Sequence, residues 1–249
     1  MKRVMRSHFA CVRAAIALCL ACAAAAAAQV QEADEYARAL AKADSYRAYD
    51  EAGFSYDFAS IGEEGSSLMR VSVRLSGEEA ALVRYLEPAK RRGRLVLVRG
   101  NSFWLLDEDM KSPIRISPRQ LLFGQASAGD VSRISFRSMY SVAGLSASGD
   151  GVVLHLAAKP GAGATYDLVD LSTDSDYRPI EAACKGHSGA LLKTIRYERY
   201  QTVDGKELLA EFSIVDAVSG KTERARLSGF DRSMPPDSDF SVQALKFRR

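Results

Sequence analysis

Beyond its first 28 residues this 249-residue chain has almost no cysteine. Cys11, Cys19 and Cys22 fall inside that stretch, and Cys184 alone lies after it. An intramolecular disulfide is therefore excluded there, and stability must come from a packed core. Histidine is scarce as well. His155 and His187 are the two beyond the leader, and neither has a second His or Cys at metal-ligand spacing. Cys184 and His187 would make at most half a zinc site, so a tucked thiol and a turn histidine are expected. Gly161-Ala162-Gly163 precedes a strand pattern, not a helix, which excludes a dinucleotide or phosphate cradle. There is no Gly-x-Ser-x-Gly elbow. The acidic clusters Glu63-Glu64, Glu78-Glu79 and Asp107-Glu108-Asp109 sit in turns and read as solvated loop ends, not a facing carboxylate pair. No catalytic residue, cofactor or metal is expected, and the chain does not read as an enzyme.

What is present begins with the leader. Lys2, Arg3, Arg6 and Arg13 precede an uncharged run, Ala14 to Ala25, and Ala26-Ala27-Ala28 offers small residues for cleavage before Gln29. That is the order of a secretory signal peptide over residues 1–28. The apolar run is short for a membrane span. Leu20-Ala21-Cys22 also resembles a loose lipobox, so a lipid-anchored form through Cys22 stands as a second route. Removing the leader takes four cations and no acids from a chain of net charge +3, leaving −1. The apparent basicity belongs to the leader, and a nucleic-acid partner is not expected. Residues 29–249 are long enough for one core and are read as one domain.

Within that domain residues 30–47 are helical in pattern, and from Phe54 the period becomes two. Met69, Val71, Val73 and Leu75 alternate with polar residues as on a half-buried antiparallel strand. Leu95 to Val98 and Phe103 to Leu106 flank Gly100-Asn101, a hairpin signal, and both runs are apolar on both faces. Counting by twos across that hairpin puts Val96, Val98, Trp104 and Leu106 on one face. Trp104, the single tryptophan, fits two roles, core packing or cavity lining. Ser117-Pro118 reads as a helix start carrying Arg119 to Phe123, Gly124 as its end, and Asp130 as the cap of a second short helix through Phe136. Further strands are expected at 152–156, 165–171, 191–200, 208–215 and 222–227, with regular turns between them, and a helical turn within 239–247. Turns so spaced indicate an antiparallel meander, closed or partly closed into a barrel. Apolar strand surface exceeds what short helices can cover, which favours an incomplete barrel around an apolar concavity. The basic run Lys90-Arg91-Arg92-Gly93-Arg94 is either a solvated hairpin end or a docking patch for an anionic membrane or partner.

Several of these residues recur in one family. Tyr85-Leu86-Glu87-Pro88, Gly93, Gly100-Asn101 and Trp104 are followed by Ile116-Ser117, Gln120-Leu121-Leu122, Gly124-Gln125, Gly129-Asp130 and Tyr140. Then come Tyr177-Arg178-Pro179-Ile180, Leu192-Lys193-Thr194, Asp216, and Pro236-Asp237 with Phe240 and Leu245. In order and spacing, Phe54 to Leu245 resembles the LolA-like outer-membrane lipoprotein-sorting family, in its broader branch. Asp107-Glu108-Asp109 and the short 125–130 loop depart from that pattern. The resemblance implies an α+β fold, a single-domain incomplete antiparallel β-barrel wrapped around short helices. It implies a periplasmic, monomeric carrier that shields acyl chains of lipoproteins or lipids between an inner-membrane transporter and the outer membrane, touching membranes transiently. A sensor or adaptor on the same scaffold, binding a lipoprotein or an envelope transporter without carrying cargo, is the alternative. The expected cavity and lid residues are Val96, Val98, Trp104, Leu106, Leu121, Leu122 and Phe123, with 117–136 as the lid.

Overall fold

Two-residue alternation, more than helix propensity, dictates this architecture. The computed structural model describes residues 31, 33–63 and 65–247. The expected signal peptide and the Cys22 anchor lie outside the described residues. Contacts divide the chain into two units, Met1–Ala39 and Leu40–Arg249. Residues 33–45 form helix α1, and the division falls within it.

The second unit is a strand meander. Its first half runs β1 (Gly53–Gly62), β2 (Gly65–Arg74), β3 (Ala80–Glu87), β4 (Leu95–Arg99), β5 (Ser102–Leu106) and β6 (Ile114–Ile116). A small hairpin follows, β7 (Leu121–Phe123) and β8 (Ala126–Ser127), then helices α2 (Ala128–Ser132) and α3 (Phe136–Met139). The second half is β9 (Tyr140–Ser148), β10 (Gly151–Ala158), β11 (Leu168–Thr173), β12 (Pro179–Lys185), β13 (Leu191–Val203), β14 (Lys206–Asp216) and β15 (Thr222–Asp231), ending in helix α4 (Val242–Lys246). Thirteen strands make one antiparallel sheet in the order β6-β5-β4-β3-β2-β1-β15-β14-β13-β12-β11-β10-β9, with β7 and β8 apart. Each strand pairs with its sequence neighbour except at β1–β15, where the two halves join. The sheet is not closed, since β6 and β9 remain its edges. The expected incomplete antiparallel architecture is therefore present.

Register assigns the faces. Phe58 pairs with Met69 and Tyr56 with Val71 on β1–β2, Val71 pairs with Val83, and Val83 with Val96. All of these are nearly fully buried, and this inner face holds the aromatic run Phe54, Tyr56 and Phe58. A second cluster covers the other face of the β3–β5 corner. Leu82, Leu95, Leu97 and Leu106 pack there with Phe240 and Leu245, and Trp104, Met110 and Val242 lean on it. Burying one such side chain stabilises the fold by about 1.5–3 kcal/mol, so both faces of β4 contribute to the core.

The Gly100-Asn101 hairpin forms as expected, with Gly100 at φ +53°, and it overturns the shared face. A two-residue turn pairs Val98 with Phe103 and Leu97 with Trp104. Even-numbered residues of β4 therefore face the way odd-numbered residues of β5 do. Val96 and Val98 look to the inner face, whereas Trp104 and Leu106 lie on the opposite one under α4. Residues 121–123 are also corrected: Leu121 and Phe123 pair with Ser127 and Ala126 as strands, not as a helical turn. Gly124, at φ +49°, is the hairpin turn that a helix end was expected to be. Ser127, not Asp130, is the N-cap of α2, and Asp130 completes the reciprocal capping box. The strands β3, β6, β9 and β12 carry too little clean alternation to be read in advance.

Candidate functional site

The 117–139 segment lies over the inner face and closes a small apolar chamber. Tyr56 and Phe58 of β1, Val169 of β11, Tyr197 of β13 and Phe212 of β14 form its walls, and Gly129, Ile134 and Phe136 roof it. The cavity is about 60 Å³. Ring contacts knit the wall: Phe58 meets Phe212 edge-on at 5.9 Å, and Tyr197 lies 6.5 Å from Phe212. Cys184, a buried free thiol, belongs to the same wall, where burial pushes its pKa up.

Polar tethers hold the roof to the sheet. The Tyr56 hydroxyl donates to the Val131 carbonyl at 2.6 Å and the Tyr85 hydroxyl to the Leu122 carbonyl at 2.9 Å. Burial raises the pKa of both phenols, that of Tyr85 to about 12, so each stays a donor at neutral pH. Asp130, buried in α2, accepts from Tyr166 at 2.8 Å and from Lys193 at 3.1 Å, while Lys193 also donates to the Gln125 carbonyl. From α1, the Asp44 carboxylate accepts from the Phe136 amide at 2.6 Å, the Arg137 amide at 3.0 Å and Ser135 Oγ at 2.7 Å. Burial is the largest influence on Asp44 and raises its pKa against the pull of those donors and of Arg47. Arg47 donates through Nη2 to the Arg133 carbonyl at 3.0 Å and stacks 4.4 Å from the centre of the Phe136 ring.

The residues expected to line a cavity are dispersed. Val96 and Val98 share the inner face with Tyr56, but none of the seven borders this chamber. Trp104 is half-buried against the α4 cluster with the Arg115 guanidinium 5.7 Å from its ring. Leu122 and Phe123 are buried at the root of the roof, Leu121 is exposed, and Arg91 lies 5.2 Å from the Phe123 ring and donates to the Leu122 carbonyl. Sequence reasoning missed Asp44, Arg47, Tyr56 and Phe58. The Phe54-x-Tyr56-x-Phe58 alternation was the available signal for two of them. Asp44 and Arg47 carried none, since a charged pair three apart on a polar helix reads as solvated.

Elsewhere, His155 sits between Ser146 Oγ at 2.9 Å and the Asp170 carboxylate at 2.8 Å, and Asp170 also binds Lys185. Among the described residues no group of three or more His, Cys, Asp or Glu side chains could hold a metal ion, and no helix is long and apolar enough to cross a membrane.

An open antiparallel sheet with an apolar chamber under a small tethered roof defines the LolA superfamily type of scaffold, and comparison with solved structures agrees. A LolA superfamily protein from Nitrosomonas europaea is similar at 29% identity and a TM-score of 0.71, covering 83% of this chain and 97% of that one. A domain from Vibrio parahaemolyticus described as an outer-membrane lipoprotein-sorting protein is 18% identical with a TM-score of 0.68, covering 86% of this chain and 99% of that one. A DUF1329 family protein from Desulfovibrio piger, 16% identical with a TM-score of 0.70, covers 86% and 98% and shares the fold. A family model described as an uncharacterized protein matches residues 77–247. None of the curated proteins matches the sequence significantly. The chain belongs to the family of that model, and its fold is that of the LolA superfamily.

Proposed function

We propose that this chain is a periplasmic carrier that shelters the acyl chains of a lipoprotein or lipid on their way from the inner to the outer membrane. The leader at 1–28 would export a single carrier domain of residues 29–249. One observation carries the reading: the inner face of an open sheet is walled with aromatic and aliphatic side chains, and a short segment tied down by side-chain hydrogen bonds covers it. At about 60 Å³ the chamber is far below the roughly 300–1,000 Å³ of sites that enclose small molecules. Cargo therefore enters by displacing the roof, and an empty carrier keeps its greasy wall covered. The gain is large, since each methylene removed from water is worth about 0.8 kcal/mol. Val96 and Val98 extend the same apolar face, and Leu122 and Phe123 sit at the hinge end of the roof.

Handover needs a membrane-facing surface, and one end of the sheet offers it. The β1–β2, β12–β13 and β14–β15 turns lie together there by register, carrying Ile61, Leu191 and Val218, which are all exposed. Lys90, Arg91 and Lys221 share that end, and cations beside apolar tips suit the interface of an anionic bilayer. An inner-membrane transporter would supply cargo to the same end.

Delipidated mature protein, titrated with a fluorescent acyl probe and then mixed with donor and acceptor vesicles, tests the reading. Saturable binding and probe transfer are expected. Failure to bind any acyl probe overturns the carrier, and binding without transfer moves the function to a sensor or adaptor.

A further inference from the structure

The chamber is apolar in its walls yet contains two guanidinium groups. Both Arg47 and Arg133 border it. Arg133 is buried, 4% exposed, with Nη1 3.4 Å from Glu79 and Nη2 donating to the Gly100 carbonyl. Its Nε is buried without an acceptor among the described residues, and so is Nη1 of Arg47. A buried N–H without a partner is destabilising, and more so on a charged group. Glu79 Oε2 serves Arg133 and Ser138, while Glu79 Oε1 is itself buried without a donor among the described residues. Asp130 serves Lys193, Tyr166 and Ser127, and both Asp44 oxygens serve the Ser135–Arg137 turn. Arg47 forms no ion pair with any described residue, although it stands 4.4 Å over the Phe136 ring in the roof.

We propose that the chamber accepts the anionic head of an acyl-chain amphiphile, a carboxylate or a phosphate, with Arg47 Nη1 and Arg133 Nε as its donors. The apolar wall from Tyr56 to Phe212 would take the first part of the chain. A planar guanidinium suits both anions, which it can engage through paired N–H groups. The inference rests on the carrier reading and narrows it. An uncharged acylglyceryl head would leave both N–H groups unmatched, so the preferred cargo is a lipid with a negative head.

Calorimetric titration of the delipidated mature chain at pH 8, below micellar concentrations, separates the possibilities with three probes of matched chain: oleate, oleoyl lysophosphatidylglycerol and oleyl alcohol. One or both anions should bind about tenfold or more tightly than the alcohol, as expected for a desolvated charge-assisted pair. The anion that gains shows whether carboxylate or phosphate is the natural head. Arg47→Gln should erase the preference, read as the ratio of anion to alcohol affinity within the same variant, and Arg47→Lys should keep part of it. Oleate labelled with ¹³C at the carboxyl gives a readout independent of any variant's folding: its carboxyl should titrate lower when bound to wild type than in free monomer. Equal affinities for all three probes, as when buried water satisfies these N–H groups, would overturn the proposal and leave the carrier standing. An unchanged preference in folded Arg47→Gln, or a bound carboxyl titrating at or above its free value, would also overturn it. Binding of none of the three overturns both.

Discussion

Replacing Asp44 by alanine should loosen the roof before it unfolds the sheet. Three donors lose their acceptor at once: the Phe136 amide, the Arg137 amide and the Ser135 hydroxyl. Orphaning the buried Phe136 amide costs about 1–3 kcal/mol, and the two donors nearer solvent about 0.5–1 kcal/mol each. Removing a buried carboxylate offsets part of this, because burial already penalises its charged form. The net is about 2 kcal/mol, or roughly a thirtyfold rise in the population with the 135–137 turn released. Native-state hydrogen exchange reads this directly. Protection of the Phe136 and Arg137 amides should fall by about that factor, while sheet amides such as those of Leu97 and Ile214 fall much less. Asp44→Asn, which keeps a carbonyl acceptor, should show a smaller loss. Unchanged protection at Phe136, or a uniform fall across the sheet, would refute the tether.

The same carboxylate gives a pH signature. Its folded pKa is raised above the ordinary value of 3.8, so the native state holds its proton more tightly than the unfolded chain. Wild-type stability relative to Asp44→Asn should therefore decline as pH rises from below 3.8 through the folded value, and level off above it; urea midpoints across that range check the sign. Gly124→Ala should destabilise the roof hairpin by about 1–3 kcal/mol, since a Cβ there would stand 1.8 Å from Glu223 Oε2 at a φ of +49°. Chemical denaturation measures it, and a neutral result would show that the hairpin readjusts freely. Trp104 emission should stay constant when an acyl probe fills the chamber and shift red in Leu245→Asp, because α4 covers that tryptophan on the opposite face; a probe-dependent shift in wild type would contradict the assigned face. Ile61→Asp with Val218→Asp should abolish flotation with anionic vesicles and leave acyl binding intact, and persistent flotation would place the membrane contact elsewhere.

Local signals were legible where one short stretch decides the structure. Gly100-Asn101 announced its hairpin, because a two-residue turn needs residues that tolerate positive φ, and the flanking runs, apolar at every position, announced strands covered on both sides. The same turn misled the face assignment, since its length reverses which residue parity points inward. At Ser117 to Phe123, a proline after a serine carried a helical signal that pairing with Ala126 and Ser127 overrode. Asp44 and Arg47 were silent because their roles depend on the 133–137 turn, some ninety residues away.

The sequence by itself determined that residues 29–249, with Cys184 as their one cysteine, can form no disulfide among themselves, and that they fold as an antiparallel meander with few helices. Those follow from residue type and period, which act over a few neighbours. Tertiary structure alone decided that the sheet stays open between β6 and β9, that Trp104 lies under α4, and that Tyr56, Phe58 and Phe212 wall the chamber. These depend on register and on the long-range pairing of β1 with β15, which brings residues some 170 positions apart side by side. No local pattern encodes that meeting; it is set by which closure buries the most apolar surface while leaving each buried backbone group a partner.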